Sequence, residues 1–85
     1  MEITNETTAL KVSTSGIDTL VKYSSIKSVS PLNTTAGHFV LIHFTDEITS
    51  TLRLKIKNIT NQPTWTNDVV GTQTAVDDIT NWMNA

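Results

Sequence analysis

The hydrophobic period of this chain changes once, at Pro63, and that change limits the folds open to it. Upstream, Leu52, Leu54 and Ile56 are interleaved with Arg53, Lys55 and Lys57. That two-residue period belongs to a strand with one buried and one wet face. Downstream, Ala75, Val76, Ile79, Trp82 and Met83 fall at the spacing of one helical face. Pro63 has no backbone N–H to give a ladder, and it holds Gln62 in an extended conformation. The order is therefore sheet first, helix last.

The residue types agree with the period. Threonine (16), isoleucine (8) and valine (7) together make 31 of 85 residues β-branched, side chains that fit a pleated sheet better than a helix. The fold class expected is α+β, mainly β: a small antiparallel sheet of four to five strands with one C-terminal amphipathic helix. His38 to Phe44 is apolar on both faces and reads as a central strand. Thr45 to Thr49 reads as the connection to the next strand, which spans Thr51 to Ile59. Asp18 to Ser30 is either one long strand kinked at Ser24-Ser25 or two short ones. Ala9 to Ser13 is a weaker strand, followed by a turn at Ser15-Gly16. Pro31 opens a loop that runs to Gly37. Met1 to Thr8 reads as a flexible N-terminal arm with Ile3 as its one anchor, and residues 9–85 as a single domain. At the helix start, Gly71 reads as a breaker and Thr72 or Thr74 as the N-cap. Asp77 and Asp78 then fall in the first turns, where the helix dipole favours negative charge.

No catalytic constellation emerges from the spacing. The chain has no cysteine and only three glycines, so thiol chemistry and Gly-rich phosphate loops are not expected. His38 and His43 are five apart on one strand, an odd spacing that puts them on opposite faces. No metal site, no cofactor and no enzymatic activity are expected. No apolar run approaches the roughly 18 residues of a membrane span, and no basic-then-apolar leader opens the chain. No membrane association is expected.

What distinguishes the chain is its surface chemistry. Charged residues make up 16%, against about 25% in an ordinary domain. Threonine, serine (7) and asparagine (7) supply 30 of 85 residues instead. Hydroxyls and amides keep the surface wet without strong electrostatic repulsion. That suits a protein seated against other protein subunits, either copies of itself or a larger assembly. Candidate partner contacts are Trp65 and Pro63 in the polar segment before the helix, and Ile3 in the arm; for Trp65 the first expectation is a core anchor. Arg53, Lys55 and Lys57 hold half of the six cations on one strand face and are the candidate nucleic-acid contact of a competing binding-module reading. With a net charge of −2 and three contacts at most, nucleic acid is not the expected partner.

The run Asn58-Ile59-Thr60-Asn61-Gln62-Pro63-Thr64-Trp65-Thr66, followed by Ala75-Val76-Asp77-Asp78-Ile79-Thr80-Asn81-Trp82, resembles the C-terminal half of small uncharacterised proteins encoded by tailed phages. The resemblance covers roughly residues 38–85. It implies a non-enzymatic virion component, such as a capsid-decorating, neck or tail-associated subunit, assembled in the host cytoplasm. If the chain is not viral, a cytoplasmic location is expected. The strands-then-helix order also resembles pleckstrin-homology-like modules at the level of fold.

Overall fold

The β-branched segments upstream of Pro63 form six strands, and the segment after it forms one helix. A computed structural model describes residues 1–85. The strands are β1 (Glu2–Asn5), β2 (Ala9–Thr14), β3 (Ile17–Lys22), β4 (Ile26–Thr34), β5 (Gly37–Phe44) and β6 (Leu52–Lys55), and the helix is α1 (Val69–Asn84). They make two antiparallel three-stranded sheets, β1-β2-β3 and β4-β5-β6. This corrects the expectation of one sheet of four to five strands. The division comes at Tyr23–Ser25, a 3₁₀ turn that interrupts the Asp18 to Ser30 run and carries the chain from the first sheet to the second.

Local chemistry explains the connections. Ser15 and Gly16 both have positive φ, 51° and 79°, as the two central residues of a type I′ hairpin turn require. Pro31 does not end β4 as expected but lies inside it, opposite Val40. The strand tolerates it because β4 is an edge and the missing N–H faces away from β5. Strand β6 stops at Lys55, and Ile56–Asn58 turn into a second 3₁₀ segment, so the expected strand over Thr51 to Ile59 is shorter than its alternation suggested. Residues 1–8 are not a free arm. They supply β1, paired with β2 from Glu2↔Ser13 to Asn5↔Leu10.

Ile3 and Leu10 from the first sheet, Val40, Ile42 and Leu54 from the second, and Ala75 and Ile79 from the helix meet in one core. Each is at most 1% exposed. The helix packs on β4 and β5, and its stripe of Ala75, Val76, Ile79, Trp82 and Met83 faces this core as its spacing predicts. Its start lies earlier than expected. The N-cap is Asp68, whose carboxylate accepts from Gly71 N–H at 2.7 Å and from the Thr66 hydroxyl at 2.8 Å. Those two bonds, the backbone one foremost, hold the Asp68 carboxyl below its usual range. Helix α1 has 16 residues and is not long and apolar enough to cross a membrane.

Candidate functional site

Of the three candidate partner contacts, the structure buries two. Ile3 is 0% exposed and Trp65 is 4% exposed, so neither can meet a partner without unfolding its surroundings. Trp65 is the core anchor. Its ring lies 5.8 Å from that of Trp82, and its indole N–H donates to Asp78 Oδ2 at 2.7 Å. This also revises Asp78 and Asp77. With the helix beginning at Val69, neither lies in the first turn. Asp78 holds the indole, and Asp77 accepts from Gln73 at 2.9 Å. Pro63 remains exposed.

The basic stripe is broken by the end of β6. Arg53 and Lys55 lie on the strand, but Lys57 lies in the 3₁₀ segment and leaves their face. The register places Phe39 of β5 opposite Lys55. The Arg53 guanidinium is 5.7 Å and the Lys55 ammonium 5.9 Å from the Phe39 ring centre, within reach of cation–π attraction. Leu32, opposite Phe39, and Leu41, opposite Arg53, share this outer sheet face. The histidines lie on opposite faces, as their spacing predicts, and each is held locally: His38 by Asn33 at 2.7 Å, His43 by Ser30 at 2.8 Å.

The edges of the two sheets differ more than their faces do. At the β1 edge, Ile3 N–H donates to Asn61 Oδ1 at 2.9 Å, while Asn61 Nδ2 and Gln62 Nε2 both donate to Ile3 C=O at 2.9 Å. One asparagine side chain thus satisfies the backbone as a neighbouring strand would. The β4 edge carries Pro31, which has no N–H to offer there. Edge β6 is four residues long. These are ordinary ways of blunting a sheet edge.

Strand β3 has no proline and no side-chain cap, and its only edge charges are Asp18 and Lys22. Residues 14–20 are exposed on both faces, so the β2–β3 hairpin tip projects beyond the core. Ile17 is 71% and Leu20 63% exposed. The hairpin closes on Thr14↔Ile17, which makes Ile17, Thr19 and Val21 the residues bonded to β2. Tyr23 N–H continues that alternation by donating to Thr8 C=O at 3.1 Å. Asp18, Leu20 and Lys22 therefore aim their backbone N–H and C=O groups outward. Beside the strand lies a groove of about 450 Å³ lined by Leu20, Val21, Lys22, Phe44, Asp46 and Thr49, among others. Its far wall is the β5–β6 connection. There Asp46 accepts from the backbone N–H groups of Ile48 and Thr49 and from the Thr49 hydroxyl. The hydroxyl bond first, then the backbone ones, holds the Asp46 carboxyl below its usual range.

Sequence reasoning missed this edge, because which strand ends a sheet depends on strand order and not on local pattern. The visible signal was the pair Ile17 and Leu20, apolar residues that the two-residue period does not place on one face. Comparison with protein-family models, with curated proteins and with solved structures finds no match.

Proposed function

We propose that this protein is a non-enzymatic structural subunit that works by seating against other protein subunits, as a component of a phage particle such as a capsid-decorating, neck or tail-associated protein. The observation that carries the reading is the uncovered β3 edge. It has three outward backbone positions, two exposed apolar side chains and no side-chain cap of the kind that β1 carries. A free-standing domain with such an edge is exposed to uncontrolled pairing, and natural proteins block or cover it. A subunit whose edge is covered in its assembly needs no block. The low charge density supports the same role, since fewer charges must be desolvated at a contact. The phage setting is supported by the resemblance over residues 38–85.

The test is quantitative mass spectrometry of particles purified from the native source. The chain should be present at a fixed copy number relative to the major capsid component, through successive purification steps. A chain abundant in the producing cell but lost from the particles would overturn the reading.

A further inference from the structure

Resting on that assembly role, we infer that the occupant of the open edge is β3 of a second copy of this chain, paired antiparallel about a two-fold axis at Leu20. The β3 edge is self-complementary in one register. Asp18, Leu20 and Lys22 are the residues with outward backbone groups, and their side chains share one sheet face. Antiparallel pairing centred on Leu20 sets Leu20 opposite the partner's Leu20. It sets Asp18 opposite the partner's Lys22, and Lys22 opposite the partner's Asp18. Each is a hydrogen-bonded pair of the narrow type, exchanging two backbone bonds. The carboxylate and ammonium face each other twice, once on each side of the axis, and an apolar pair fills the centre. A parallel arrangement in register would instead oppose like charges, which directly paired strands disfavour.

The other face of the strand fits the same register. Thr19 meets the partner's Val21, and the partner's Ile17 is carried towards Tyr23, at the end of β3 beside the groove that Val21 and Phe44 help to line. Ile17, 71% exposed in the single chain, thereby gains apolar cover. The joined sheets become one six-stranded sheet in the order β1-β2-β3-β3-β2-β1. Its two outer edges are the β1 strands already held by Asn61 and Gln62, so the pairing closes at two copies and does not propagate into a fibre.

Sedimentation equilibrium across a hundredfold concentration range, on the full chain, tests the pairing. The native chain should show a monomer–dimer equilibrium. Leu20→Lys, an exposed change that opposes two cations at the axis, should weaken the dimer at least about tenfold while the circular dichroism spectrum is kept. Asp18→Lys and Lys22→Asp should each weaken it several-fold, and the two changes together should restore it. A native chain that stays monomeric throughout, or a dimer unmoved by Leu20→Lys, overturns the pairing. A monomer still found at fixed copy number in particles overturns self-pairing alone and leaves the assembly role standing. A dimer with the expected variant pattern that is absent from particles supports the pairing and overturns the assembly role.

Discussion

Replacing Gly71 by alanine should destabilise the protein by about 3 kcal/mol, although the residue sits in a helix. Propensity alone points the other way, because alanine in a helix interior is favoured over glycine by about 1 kcal/mol. Packing decides the sign. Gly71 is buried in the first turn of α1, and a Cβ built there overlaps the backbone O, N and C of Thr66. Backbone atoms cannot rotate aside as the end of a flexible side chain can. Thr66 is also held in place, since its hydroxyl donates to Asp68, the same carboxylate that accepts from Gly71 N–H. Relief of the overlap must therefore disturb the helix cap. Urea denaturation of Gly71→Ala against the native chain measures the difference, and a gain in stability would show that the Thr66 to Asp68 segment does not run across the helix as described.

Ile79→Ala should cost about 2–5 kcal/mol. Ile79 is 0% exposed and belongs to the core that the helix closes over β4 and β5. Removing its branched end takes apolar area out of the core and leaves a cavity that rigid strands on one side cannot close. At the usual 0.05–0.15 kcal/mol per residue, a chain of 85 residues has a total stability of about 4–13 kcal/mol. One side chain thus carries a large share of it. The melting temperature should fall by at least about 8 °C, taking about 4–8 °C per kcal/mol for a domain of this size. Lys57→Ala, an exposed change in the 3₁₀ segment, should stay within about 0.5 kcal/mol. Equal effects at the two positions would mean that the helix stripe does not face the core.

What could be read from the sequence and what could not divide along a physical line. Leu52 and Leu54 alternate with charged neighbours, and Ala75, Val76 and Ile79 repeat at helical spacing. Burial alone imposes these periods, and both were legible. The strand containing Leu52 ends before Lys57 because the chain turns into a 3₁₀ segment at Ile56, a change the alternation continues straight through. Asp68 as N-cap was obscured by threonines that also serve as caps, two of which lie in the first turns of the helix. Asn61 and Gln62 reach Ile3 across 58 and 59 residues, and no local pattern announces a side chain that replaces a strand. The candidate site suffered most. Trp65 and Ile3 are isolated apolar groups in polar segments, and burial explains both. The β3 edge is a property of strand order, visible only once β1 is seen to be capped by Asn61 and Gln62 and β3 is not.

Strand β3 is a sheet edge that this chain leaves open, and residue-resolved amide hydrogen exchange reads it directly. In dilute solution the amides of Thr19 and Val21, bonded to β2, should exchange slowly, and so should that of Ile3, held by Asn61. Those of Asp18, Leu20 and Lys22 should exchange fast, giving an alternation along a single strand. As concentration rises, these three amides should become protected together. Slow exchange at Asp18, Leu20 and Lys22 that is the same at every concentration would contradict the account, because the edge would then be covered by the chain's own residues.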